Sequence, residues 1–297
     1  YEIPLRLVGS EMCIRDRMLT MFGISMPFMG WLVSRVPAQK IEGRKMTAGQ
    51  WIIAFLMCYG LMYAGNLIGT ALTFGIGMVK GTGVDNPMVS TVMQLNPWVT
   101  FIIAVLIAPT AEELLFRKLL TERIVKYGEL PAVLASGLFF GLFHGNLNQF
   151  SYAFLLGLFL GFIYVKTGKL RYTIGLHMAV NFIGSSLGTW MLRVTGYMDT
   201  METLTKFLNT KDLTVLADLG NGIVGMFIFG SYASLILMMA GAGLILTWLN
   251  RKKFVCCAPE EKVASLGKKK AAVMIGNPGI LLYGAFWIGI MIWQLLQ

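Results

Sequence analysis

Long apolar runs recur along the chain with short basic connections between them, and this alternation leaves few architectures open. The runs cover residues 18–36, 51–79, 97–111, 132–143, 152–165, 172–192, 220–249 and 275–296. About 20 apolar residues suffice to carry a helix across a hydrocarbon core about 30 Å thick, and some of the eight runs are too short to cross alone. In lipid every backbone N–H and C=O must be satisfied internally, so the expected fold is all-α: a polytopic transmembrane bundle of about eight helices.

Composition and charge support this reading. Hydrophobic residues make up 56% and charged residues 13% of the 297, and the charged share is well below the roughly 25% of ordinary soluble domains. The formal net charge of +10 would suggest nucleic acid in a soluble chain. Here the cations cluster between apolar runs, at Arg35, Lys40, Arg44 and Lys45, at Arg117, Lys118, Arg123 and Lys126, at Lys166, Lys169 and Arg171, and at 251–253 with 268–270. Such clusters at every second connection set membrane orientation, so the basic connections are expected to be cytoplasmic and no nucleic-acid partner is expected. The connections around Asp85, Asn86 and Pro87 and over 197–218 are poorer in Lys and Arg and are expected to face outward. Cys13, Cys58, Cys256 and Cys257 lack metal-ligand or disulfide spacing. Cys256 and Cys257 follow a span closely enough to be acylated, but an inert pair is the plainer expectation.

Residues 1–17 are set aside as a non-native leader, because LVGSEMCIRDR looks like one reading frame of a sequencing-library adaptor. Native sequence is expected to begin near Met18, with upstream segments missing.

Ionisable groups at membrane depth are costly and mark function by default. Three stretches carry them. APTAEELLFRKLL contains Glu112, Glu113 and Arg117; FGLFHGNLN contains His144, Asn146 and Asn148; GLHMAVNF contains His177 and Asn181. The two histidines are the only ones in the chain. Glu113 and Arg117 are one helical turn apart and are expected to pair. Glu112 points about 100° away from Glu113, which leaves it free for chemistry. His177 and Asn181 share a helix face and can offer two donors to one oxygen atom.

If a helix runs from Glu112 to a turn at 128–131, both Glu112 and His144 stand roughly 20 to 24 Å above that turn. His177 stands only about 13 Å above the next basic turn at 166–169, so tilt must absorb the difference. Gly137, Gly141 and Gly145 recur on one face, as do Gly157 and Gly161, a small-residue spacing that lets helices approach closely.

No Ser-His-Asp arrangement, HExxH pair or Cys near a His occurs in the apolar segments, which argues against covalent nucleophilic catalysis. A desolvated carboxylate can act as general base toward water near neutral pH, with a His orienting that water. A His and an Asn can then meet the developing oxyanion. Peptide-bond hydrolysis by an activated water is the expected reaction.

The set EExxxR (Glu112, Glu113, Arg117), FxxxH (Phe140, His144) and HxxxN (His177, Asn181) resembles the CPBP family of intramembrane proteases over about residues 97–186. That family includes CAAX prenyl endopeptidases and bacteriocin-processing or self-immunity proteins. The resemblance implies that Glu112 activates water together with His144. It also implies that His177 and Asn181 form the oxyanion site, with Glu113 and Arg117 in support. A metal-free mechanism without cofactor is favoured; the alternative is zinc held by Glu112, His144 and His177 with an open fourth position. The organisation expected is N-terminal transmembrane helices over 18–96, the protease core in the central helices over 97–192, and C-terminal helices with a basic cytoplasmic loop over 193–297. The expected setting is a bacterial cell membrane, with the site opening toward the cytoplasmic side and a membrane protein or peptide as substrate. Peptide pheromone or bacteriocin maturation is preferred to prenyl-protein processing. A non-catalytic self-immunity or scaffold protein of the same fold is the alternative. A proton-coupled transporter would also bury Glu and His, but the paired interrupted spans of inverted repeats are missing.

Overall fold

The computed structural model describes residues 20–81, 95–214, 219–220, 222–258 and 276–296. Among the described residues every regular element is helical, in nine bodies besides a short 3-10 turn at Arg251–Lys253. In chain order these are α1 (Met21–Ser34), α2 (Ala48–Lys80), α3 (Pro97–Tyr127), α4 (Glu129–Phe143), α5 (Leu147–Thr167), α6 (170–194), α7 (Tyr197–Thr210), α8 (Gly222–Leu249) and α9 (Pro278–Leu296). Five of them, α2, α3, α5, α8 and α9, are long and apolar enough to cross a membrane, which makes this a multi-pass membrane protein. Each of the eight apolar runs lies on a helix. The additional body is α7, in a stretch expected to be an outward connection. The leader over 1–17, the Asp85–Pro87 connection and nearly all of 258–270 lie outside the described residues.

The basic connections gather at one end of the bundle. The extended segment before α2 crosses the ends of α3 and α5, with Gln39 N–H donating to Glu122 O at 2.7 Å and Arg44 N–H to Thr167 O at 2.7 Å. The segment after α8 crosses α5 and α4: Phe254 stacks edge-on against Phe159 and Phe162, and Glu129 N–H donates to Cys257 O at 3.2 Å. The Glu129 carboxylate in turn accepts from Cys257 N–H at 2.6 Å and pairs with Lys166. From this end α2 rises out of a capping box, in which Thr47 Oγ1 accepts from Gln50 N–H at 3.2 Å and Gln50 Oε1 from Thr47 N–H at 2.9 Å.

The best-buried core lies where α2, α5 and α6 meet, around Cys58, Tyr59, Leu156, Leu160, Leu176 and Val180. By contrast α8 and α9 bury little of themselves and present most of their apolar surface outward. The α4–α5 hairpin is the closest helix pair near the site. A Cβ at Gly157 would stand 2.9 Å from Phe140 Cδ1 and 3.0 Å from Gly137 Cα, so only hydrogen fits there. Gly145 differs from the expectation of a third contact on that helix face. It sits beyond the end of α4 with φ +61°, where its left-handed backbone turns the chain toward α5, and a Cβ there would meet Trp287 of α9 at 3.1 Å.

Candidate active site

α3 does not stop at the predicted end of its apolar run. It continues through Glu112 to Tyr127, which places the carboxylates near the middle of a helix about 46 Å long. Its winding changes around them. Ala108–Glu113 is ordinary α-helix, flanked by wider π-helical turns at Phe101–Ile107 and Leu114–Thr121. Pro109 has no N–H to offer Val105 O, and next to it Ala108 N–H reaches back five residues to Ile103 O. Such wide turns are frequent at functional sites.

The structure brings Glu112, Glu113, Arg117 and His177 into one buried cluster. Glu113 Oε2 lies 3.0 Å from Arg117 Nε, and both side chains are fully buried. The other oxygen, Oε1, lies 3.0 Å from His177 Nδ1. A carboxylate only accepts, so the shared proton sits on Nδ1 and Nε2 is turned away from Glu113. Nε2 faces Glu112, with Oε2 3.7 Å away, which is too long for a direct hydrogen bond. The offset of His177 from the two carboxylates, expected from the hairpin lengths, is therefore closed by the way α6 packs on α3.

His144 caps the end of α4, and its Nδ1 lies 2.9 Å from Phe140 O. It pairs with neither carboxylate. The Phe140 ring is the common wall: edge-on to His144 at 5.0 Å and to His177 at 5.5 Å, with the Arg117 guanidinium 4.7 Å from its centre. Among the described residues Arg117 Nε, Nη1 and Nη2 have no hydrogen-bond partner, so the cation is held by the Glu113 charge and the ring face.

Asn181 lies one turn beyond His177 and donates one amide hydrogen to Ala104 O at 2.8 Å. That bond ties α6 to the π-helical part of α3 and leaves the second amide hydrogen available. The remaining asparagines of the His144 stretch have structural partners. Asn146 Oδ1 accepts from Asn148 and Gln149 N–H at 2.9 and 3.2 Å and caps α5, while Asn148 Nδ2 reaches Thr70 Oγ1 at 3.4 Å.

Two site residues had no signal in the sequence. Tyr152, on the first turns of α5, has its ring centre 6.3 Å from that of His144. Ala104 contributes only its carbonyl, which no side-chain pattern reveals. As for zinc, among the described residues no three His, Cys, Asp or Glu side chains converge to hold a metal ion. Glu112, His144 and His177 therefore do not form a metal-holding set as arranged.

No curated protein and no solved structure matches the chain. Residues 94–183, the stretch that holds Glu112, Glu113, Arg117, His144, His177 and Asn181 together, match the family model Rce1-like, described as type II CAAX prenyl endopeptidase Rce1-like.

Proposed function

We propose that the chain is an intramembrane endopeptidase that hydrolyses a peptide bond of a membrane-associated protein or peptide with an activated water. The observation that carries this reading is the arrangement of the buried cluster. His177 is fixed through Nδ1 by Glu113, and its Nε2 faces Glu112 across 3.7 Å, with no direct bond to quench either group. Glu112 is the general base. It takes a proton as the water oxygen attacks the carbonyl carbon, and it returns that proton to the amine when the C–N bond breaks. His144 orients the water from the end of α4. His177 Nε2 and the second Asn181 amide hydrogen meet the oxyanion, and Glu113 with Arg117 holds His177 in place.

The family match supports a protease acting on a protein or peptide, and five apolar helices support a bilayer setting. By the positive-inside rule the basic end is cytoplasmic, and the site opens toward it. Residues 97–192 form the protease core between the flanking helices. Maturation of a bacteriocin or peptide pheromone is the substrate reading we favour over prenylated protein.

The test is cleavage of a tethered peptide library by the purified protein in detergent. Glu112→Gln and His144→Ala are expected to lower cleavage by roughly 10²-fold or more each. Cleavage that persists in both variants would overturn the mechanism. Loss of cleavage on chelation with recovery on added zinc would replace the metal-free route.

A further inference from the structure

The connection between α6 and α8 carries a surface that the proposed protease site does not use. We propose that α7 is a membrane-surface helix, seated by its apolar face in the bilayer interface at the end of the bundle opposite the basic connections.

The sequence of α7, YMDTMETLTKFLNT, separates by face. At 100° per residue Tyr197, Met201, Leu204 and Leu208 form one line, while Asp199, Glu202 and Lys206 lie opposite. The chain enters this helix through Gly196 at φ +58° and leaves it through Lys211 at φ +58°, the only non-glycine residue with positive φ among the described residues. Left-handed residues at both ends stop α7 from extending as a straight continuation of a span.

One edge of the apolar face is rooted on α8. The Tyr197 ring lies 4.4 Å from that of Phe229, and the buried Thr200 packs against Gly222. The rest is open: Met201 and Leu208 are 37% and 60% exposed, and Met198 at the margin between the two faces is 55% exposed. α8, on which this helix is rooted, is a candidate membrane span, and its first turns leave Ile223 and Phe227 exposed. A helix packed beside the end of such a span lies at the membrane surface, where lipid is the apolar medium within reach of its open face.

Charge decides which lipid contact is used. The polar face carries two carboxylates and one ammonium, so it has no attraction for anionic headgroups. Seating is driven by apolar insertion alone and is insensitive to salt and to lipid charge.

The test uses the full chain in lipid nanodiscs, with Cys13, Cys256 and Cys257 replaced by Ser and the buried Cys58 retained. A bimane is placed at Leu208→Cys and, as the opposite-face control, at Lys206→Cys. Bimane at position 208 is expected to lose roughly half its emission in acyl-brominated lipid, to resist aqueous iodide, and to behave alike in neutral and anionic discs. Bimane at position 206 is expected to show the reverse pattern. Iodide quenching at 208 equal to that at 206 would overturn the proposal. Protection from iodide without quenching by brominated lipid would also overturn it, since a second copy or another protein would then cover the face.

Discussion

The Glu113–Arg117 pair supplies the sharpest physical test, through Glu113→Gln, Arg117→Met and the two combined. Both side chains are fully buried and the charged atoms are 3.0 Å apart. At an effective dielectric of about 20, two unit charges at that distance attract by roughly 5 kcal/mol. Removing one partner leaves the other charge buried and uncompensated, which costs about 3–5 kcal/mol. Arg117→Met also loses the contact with the Phe140 ring, worth about 1 kcal/mol. The double variant removes both charges and the desolvation cost that they impose, so it should lose far less than the sum of the single variants. Cys58 is fully buried, so its labelling by a thiol-reactive dye reports thermal unfolding once Cys13, Cys256 and Cys257 are replaced by Ser. Each single substitution is expected to lower the midpoint by on the order of 10 °C, with the double variant recovering most of that loss. Midpoint losses that simply add would refute the pairing as the term holding Arg117 in the bundle. All three variants should lose cleavage, because His177 Nδ1 is bonded to Glu113, whose own position depends on Arg117.

Asn181→Ala removes both the bond to Ala104 O and the second amide donor, and cleavage should fall by roughly 10²-fold with KM little changed. Equal cleavage by wild type and variant in single-turnover assays would remove Asn181 from the oxyanion site. Gly157→Ala drives a methyl into Phe140 and Gly137, which costs about 1–3 kcal/mol and displaces the ring that separates His144 from His177. Thermal midpoint and cleavage should therefore fall together, and an unchanged cleavage rate would show that Phe140 does not set the histidine spacing.

Much of this architecture is legible in the linear sequence because lipid makes strong demands on it. Backbone groups must be satisfied within each segment, so apolar runs become helices, and all eight runs lie on one. The i, i+4 spacing of Glu113 and Arg117 belongs to the helix itself, so their contact could be read before any packing was known. α7 escaped because its apolar residues are diluted among Thr, Asp and Glu, and it reads as a connection until the helix turn collects them on one side. Gly145 was misread because helical spacing says nothing about where a helix stops.

What tertiary packing alone decided is how the three polar stretches meet. His177 chooses Glu113 through Nδ1 and faces Glu112 through Nε2 because α6 packs on α3 along Ala108–Glu113 and the wide turn before it. The Asn181 amide is divided between a backbone carbonyl and a free hydrogen by that same packing. Phe140 stands between the two histidines because the glycines of α4 and α5 let those helices close. Residue types and spacing along one helix are local properties of a sequence. Distances between helices depend on groups brought together from separate parts of the sequence, 64 residues apart for Glu113 and His177 and 77 for Ala104 and Asn181, and no local rule contains them.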